Sequence, residues 1–315
     1  MSFMFWKNLL SEEVLEYKEL FSKLKGIVFW KSVLKKIRFS ISIMKRIILY
    51  PNTKRRKTLK FELHLTTHCN LNCKGCNTFS SIAQEGFASF DQIKADLNRI
   101  SKIANKRIIT ILLAGGEPLL HPQLIEIMNY IHKEFSYVSI LYIISNAVLL
   151  MQQKDEFWEA CKKNNFILFI TKYPIGLPYD KIVGKAKEKG VCLKFMDNSA
   201  LTKKKFRKVP INLEGTENAK YSFSACSGAN NCITIKEGKI YPCSLIPRIE
   251  IFNQFFSENL VVSEKDSIDI YKADNLDEIL DFLCKPVPFC RYCSVKKPVF
   301  GLNWGITEKD INEWV

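Results

Sequence analysis

Two rhythms of hydrophobic and polar residues alternate along most of this chain. From Phe61 to Thr66 apolar and polar side chains take turns, the period of a half-buried strand. Asp91 to Ile103 then sets Ile93, Leu97 and Ile100 on one face of a helix. The same exchange repeats downstream. Strands are expected over Arg107–Leu113, Tyr137–Ile144, Phe166–Ile170 and Val191–Met196, and helices over Leu124–Phe135, Asp155–Lys163 and Tyr179–Lys189. Strands alternating with helices at this spacing predict βαβ units and a parallel sheet of five strands. Residues with chemical character gather at the strand ends: Gly115-Gly116-Glu117-Pro118, Ser145-Asn146, then Thr171 and Lys172. In α/β barrels that edge carries the site.

The flanks read differently. Residues 1–22 suggest a short helix with Ser11 as its cap and Glu12 and Glu13 in its first turn. Residues 27–50 are amphipathic, with Trp30, Val33, Leu34, Ile37, Ile41, Met44 and Ile48 at steps of three and four and lysines and arginines between them. Those charges break every apolar run well short of a membrane span. Three readings of this arm stand: a helix lying on an anionic membrane surface, a helix packed on the protein, and a weaker one, contact with RNA. Residues 197–222 are polar and are expected to form a loop into a second module, where Ile233 to Tyr241 reads as a hairpin turning at Glu237-Gly238 and Leu276 to Leu283 as a helix. The organisation expected is an arm over 1–58, a barrel over 59–200 and a C-terminal module over 201–315.

Charge sharpens this division. The formal net charge is +15, yet the stretch from Lys23 to Lys60 alone holds 13 lysines and arginines and no acid. The rest of the chain is close to neutral, so the basic character belongs to the arm and no nucleic-acid partner is expected for the body. A hydrophobic content of 47% suits a buried core. No secretory signal opens the sequence, and the cysteines number 11, an odd count in a lysine-rich chain. Both point to the reducing cytoplasm, with a peripheral position on the inner membrane face as the variant the arm allows, and to metal binding rather than disulfides.

The cysteines carry the chemistry. Cys69-Asn-Leu-Asn-Cys73-Lys-Gly-Cys76 puts three thiols on one short loop directly after the first strand. Three thiolates can hold three irons of a [4Fe–4S] cube and leave the fourth open to a small molecule. A structural zinc knuckle would favour paired C-x₂-C units. Six more cysteines lie in the C-terminal third: Cys226, Cys232, Cys243, Cys284, Cys290 and Cys293. Cys161 and Cys192 fall in a helix and a strand and are read as core, and the four histidines make no metal pattern with the thiols. Walker, G-x-S-x-G and H-E-x-x-H patterns do not occur.

The C-x₃-C-x₂-C triplet, followed some forty residues on by Gly115-Gly116-Glu117-Pro118, resembles the radical SAM superfamily. That resemblance implies a partial (β/α)₆ barrel and a [4Fe–4S] cluster on Cys69, Cys73 and Cys76, its open iron chelating S-adenosylmethionine. One-electron reduction by an external donor such as flavodoxin or ferredoxin would cleave the sulfonium and release a hydrogen-abstracting radical. Gly115, Gly116, Glu117 and Pro118 would bind the amino group of S-adenosylmethionine. Ser145 and Asn146 would stand near its ribose, and Thr171 and Lys172 at the next strand end could reach the ribose, the carboxylate or the substrate. The family often has an aromatic residue before the last cysteine, where this chain has Gly75. Cys226, Cys243, Cys290 and Cys293 resemble the auxiliary-cluster ligands of the twitch and SPASM appendages, with Cys232 an alternative to Cys226 and zinc an alternative metal. An auxiliary cluster implies a net oxidation, such as dehydrogenation of a carbohydrate-type small molecule, a lipid-linked glycan included. The other readings are a peptide-modifying or epimerising enzyme and a non-catalytic metal scaffold. No catalytic base is assigned.

Overall fold

The first strand, β1 (Leu59–Thr66), sets the pattern for the body of the protein. Its Leu59, Phe61, Leu63 and Leu65 are fully or nearly fully buried, while Lys60, Glu62 and His64 on the other face are half-buried. The computed structural model describes residues 52–196 and 205–315. The helices expected over 1–22 and 27–50 lie outside those residues, as does the part of the 197–222 loop between 197 and 204.

After β1 the elements follow the expected order: α1 (Phe90–Ala104), β2 (Ile108–Gly115), α2 (Leu124–Glu134), β3 (Ile140–Ser145), α3 (Asp155–Lys163), β4 (Phe166–Ile170), α4 (Tyr179–Glu188) and β5 (Leu193–Phe195). Local chemistry fixes the ends. The Ser89 hydroxyl accepts from the Gln92 amide to start α1, and Asn105 takes the left-handed conformation that stops it. The strands run β5-β4-β3-β2-β1, all parallel. Helices α1 to α4 lay Leu97, Ile131, Trp158 and Ile182 on the strand face that carries Phe61, Ile111, Ile143 and Leu168, one continuous apolar core. The result is a mixed α/β fold built on a mostly parallel sheet.

Beyond 204 come β6 (Lys205–Lys208), α5 (Ala219–Ala225), β7 (Thr234–Lys236), β8 (Lys239–Tyr241), α6 (Ile249–Phe256), β9 (Ile268–Asp269), α7 (Leu276–Leu283) and β10 (Val299–Asn303). The hairpin turns at Glu237-Gly238, both with positive φ, as its sequence predicts. Its first strand β7 pairs in parallel with β1, so the sheet gains a sixth parallel strand that the sequence reading left unplaced. Strand β7 has three residues and an antiparallel partner one turn away, so its pattern shows the hairpin and hides the parallel edge. Other departures are local. The segment read as a loop over 197–222 contains β6 and the start of α5. The exposed Cys192 is not core, because β5 is shorter than predicted and starts one residue beyond it. Cys161 is buried as expected.

A second apolar cluster gathers Ile246, Phe252, Val287, Phe289 and Trp314, and with them Phe79 and Ile82 from just behind the cysteine loop. Among the described residues no helix is long and apolar enough to cross a membrane.

Candidate active site at the cysteine loop

The loop from Cys69 to Cys76 leaves the end of β1 and is held against the end of β2. The Gly116 amide donates to the Thr66 carbonyl and the Glu117 amide to the His68 carbonyl, at 3.1 and 3.2 Å. The two glycines are required by closeness. A Cβ on Gly116 would lie 1.8 Å from the His68 oxygen, and one on Gly115, whose φ is +131°, would lie 2.7 Å from the Thr66 oxygen. Pro118 opens a short 3₁₀ turn that the Glu117 carboxylate caps at the Leu119 amide.

Glu117 is 1% exposed and ties three strand ends together. It accepts from the Ser145 hydroxyl at 2.8 Å, the Asn146 amide at 2.9 Å and the Leu119 amide at 3.2 Å. Burial pushes its carboxyl up to about 7 against the pull of those donors. With three bonds accepted, lone-pair capacity for one more donor remains. Asn146 extends the network to the loop, its side-chain amide donating to Asn70 at 2.8 Å and to the Cys69 sulfur at 3.4 Å. Thr171 reaches this group through its backbone: its amide donates to the Ser145 carbonyl, while its hydroxyl faces the Met196 sulfur. Lys172 lies over the Phe195 ring at 4.1 Å.

Each loop sulfur has a polar neighbour. Cys69 accepts from the Leu71 amide at 3.4 Å, Cys73 from the Trp304 indole at 3.2 Å, and Cys76 meets the Thr78 hydroxyl at 3.2 Å. Burial pushes the Cys69 thiol up to about 12, with like charge on Glu117, Cys76 and Cys73 adding to it. The three sulfurs are thus within electrostatic reach of one another, set in N–H and O–H donors that suit negatively charged sulfur. A loop of this make-up fits an iron–sulfur cluster.

The sequence reading missed what covers this loop. Residues 304–315 lie along it. The Lys74 amide donates to the Gly305 carbonyl, the Thr307 amide to Asn72, and the Trp314 indole to the Cys76 carbonyl, each at 2.8 to 2.9 Å. Glu313 accepts from the Gly75 amide at 3.0 Å, the Thr307 hydroxyl at 2.6 Å and the Glu308 amide at 2.7 Å. This accounts for Gly75. Its φ is +60°, and a Cβ there would stand 2.8 Å from the Glu313 carbonyl oxygen. Aromatic surface comes from elsewhere: Tyr173 meets Cys73 and lies within charge–charge reach of Cys69 and Cys76, and its ring centroid is 5.9 Å from that of Trp304. One signal was available, since two of the five tryptophans sit in this short polar stretch and tryptophan is seldom left exposed.

Beneath the loop lies a buried cation, also missed. Arg248 is 5% exposed and donates to the carbonyls of Thr66, Thr67 and Thr78, to the Ser80 hydroxyl and to His64 Nδ1. Burial holds the His64 imidazole below its ordinary pKa, so the neutral ring donates from Nε2 to Glu62 and accepts at Nδ1. A cavity of about 570 Å³ opens here between α1 and α6, lined by His64, Thr66, Gln92, Asp96, Lys236 and Arg248 among others.

The C-terminal thiols also gather. Cys243, Cys290 and Cys293 are driven up by burial first and then by one another and by Cys226, so the four lie within charge–charge reach. Backbone amides are aimed at their sulfurs: Gly228 and Ala229 donate to Cys226 and Leu245 to Cys243, at 3.3 to 3.4 Å. Cys232 borders this group near Cys226 but also faces Glu62. Cys284 turns away to the Asp281 carbonyl. Among the described residues, no three His, Cys, Asp or Glu side chains converge tightly enough to hold a single metal ion.

Comparison with known proteins bears on this site. Residues 63–177 match the family model described as the radical SAM superfamily. The antilisterial bacteriocin subtilosin biosynthesis protein AlbA of Bacillus subtilis (strain 168) is 30% identical over 99 residues, 31% of this chain and 21% of that protein. The chain thus spans about a fifth of that relative. Among solved structures, BtrN in complex with AdoMet and 2-DOIA is matched at a TM-score of 0.45 and 15% identity, over 76% of this chain and 94% of that one. Streptococcus suis SuiB bound to S-adenosylmethionine is matched at 0.37 and 12%, over 58% and 44%. The matched stretch contains the cysteine loop, the glycine pair and the Ser145-Asn146 strand end, and over residues 63–177 this chain is similar to the radical SAM superfamily, whose members work with a [4Fe–4S] cluster and S-adenosylmethionine.

Proposed function

We propose that this protein is a radical SAM enzyme that carries out a net two-electron oxidation of a hydroxylated, carbohydrate-type small molecule. Cys69, Cys73 and Cys76 would hold the cluster that engages S-adenosylmethionine. Cys226, Cys243, Cys290 and Cys293 would hold an auxiliary [4Fe–4S] cluster. When bound, these groups supply hydrogen-atom abstraction and a one-electron sink, and the substrate's remaining proton leaves to a base. The observation that carries the reading is the gathering of the four C-terminal thiols, with amides aimed at their sulfurs, in the same fold as the cysteine loop.

The chain's own residues would divide the work. Glu117, Ser145 and Asn146 fix the strand ends around the S-adenosylmethionine position, and Gly115 and Gly116 let the loop approach. Trp304 and Tyr173 keep water from the Cys73 side. A cavity of about 570 Å³ whose walls mix apolar side chains with His64, Asp96, Lys236 and Arg248 supports a small substrate. The match to a bacteriocin biosynthesis protein favours a second reading, modification of a peptide.

Anaerobic reconstitution tests this. About eight irons per chain are expected, as two [4Fe–4S] sites require, with 5′-deoxyadenosine released from S-adenosylmethionine under strong reductant. Cys73→Ala should abolish the release, and Cys290→Ala should lower iron to about four while leaving the release in place. Zinc with no 5′-deoxyadenosine would make the protein a scaffold instead.

The basic arm suggests that the enzyme meets its substrate at an anionic membrane surface, as a lipid-linked glycan would require. Deleting residues 1–58 is expected to remove partitioning onto vesicles that contain phosphatidylserine. Equal sedimentation of the full and shortened chains with such vesicles would dispose of the idea.

A further inference from the structure

We propose that Arg248 is a positioning residue whose fixed positive charge makes the cluster on the cysteine loop easier to reduce. The inference rests on Cys69, Cys73 and Cys76 holding that cluster. A guanidinium has five N–H groups, and all five are engaged. Nε donates to the Thr78 carbonyl at 2.7 Å. Nη1 donates to the Thr66 carbonyl at 3.1 Å and to His64 Nδ1 at 3.4 Å. Nη2 donates to the Thr67 carbonyl at 2.7 Å and the Ser80 hydroxyl at 3.0 Å. Every one of these acceptors is neutral, so the hydrogen bonds are complete while the charge is not. Glu62, the carboxylate in this chain of contacts, stands on the far side of the His64 ring.

A buried cation without a counter-charge is strongly unfavourable. The Cys76 sulfur lies within charge–charge reach of Arg248, and as a cluster ligand it would carry the negative charge that this cation lacks. Cys76 meets the Thr78 hydroxyl, and Arg248 holds the Thr78 carbonyl. A [4Fe–4S] cube on three thiolates is an anion and gains one more negative charge on reduction. A fixed cation beside it favours the reduced form, one of the levers that set cluster potentials. The same contacts would also serve a purely structural staple joining Thr66, Thr67, Thr78 and Ser80, and charge is what separates the two roles.

The test is a potentiometric titration of the reconstituted full-length protein, following the EPR signal that changes when S-adenosylmethionine is added. For Arg248→Gln the ratio of reduced to oxidised cluster at a fixed potential should fall at least tenfold, about 59 mV for a one-electron couple. Arg248→Lys keeps the charge and should stay within about threefold of wild type, a shift below the tenfold step. Ser80→Asp places a carboxylate against Nη2 without removing the guanidinium and should lower the ratio as Arg248→Gln does. It carries the test if Arg248→Gln fails to retain iron. An unshifted ratio in Arg248→Gln or Ser80→Asp would overturn the proposal, and so would a Lys variant that falls as far as Gln. A wild-type chain with no S-adenosylmethionine-responsive signal would instead defeat the assignment of the cysteine loop.

Discussion

Gly116→Ala should cost at least about 3 kcal/mol and reduce 5′-deoxyadenosine formation at least a hundredfold, as overpacking with forced backbone movement does. The added carbon would lie 1.8 Å from the His68 oxygen and 2.3 Å from its carbonyl carbon. Both are backbone, so no rotamer relieves the clash and the cysteine loop must move. His68 directly precedes Cys69, so the displacement falls on the first thiol. Gly184 provides the control. It lies within α4, and a Cβ there meets nothing within 4 Å. The same change at Gly184 should stabilise by about 0.5 to 1 kcal/mol through helix propensity. One chemical edit thus has opposite signs at two sites. Urea titration of both variants with an iron count checks it, and a Gly116→Ala protein of normal stability and iron content would refute the packing described.

Glu313→Ala should release residues 304–315 from the loop. Its carboxylate accepts three hydrogen bonds in a buried place, from Gly75, Thr307 and Glu308. Bonds to a charged acceptor contribute about 1.5 to 3 kcal/mol each and add imperfectly, so a local loss of about 3 to 5 kcal/mol is expected. Alanine also leaves two backbone amides unmet. Glu313→Gln should fall between, because one of its two polar atoms is a donor facing donors. Hydrogen exchange reads the effect directly. Protection should drop across 72–76 and 304–315 while β1 to β4 keep theirs. Unchanged exchange in both segments would show that Glu313 does not fasten them.

What the sequence made legible was what short-range chemistry controls. The alternation in Phe61–Thr66 and the face of Ile93, Leu97 and Ile100 gave the strand and helix that carry the cysteine loop. Gly115 and Gly116 were recognisable because backbone closeness leaves a glycine as its mark. The hairpin at Glu237-Gly238 was visible for the same reason. Long-range contacts left weaker traces. Arg248 is one of 47 basic residues, and nothing local says that this one is buried. Strand β7 hid its parallel pairing inside a hairpin. Helix α6 (Ile-Glu-Ile-Phe-Asn-Gln-Phe-Phe) is too apolar and short for its periodicity to choose between helix and strand. Gly75 was noticed as a departure, but its cause, the Glu313 carbonyl, lies 238 residues away.

That separation has a consequence for how the protein is made. At a synthesis rate of about 5 to 20 residues per second, roughly ten to fifty seconds pass between the emergence of Gly75 and that of Glu313. Until then Cys73 lacks the Trp304 indole and the Cys76 carbonyl lacks the Trp314 indole. The nascent loop therefore presents its thiols to the cell without the cover of residues 304–315, and iron delivered to the finished chain meets a different surface from iron delivered during translation.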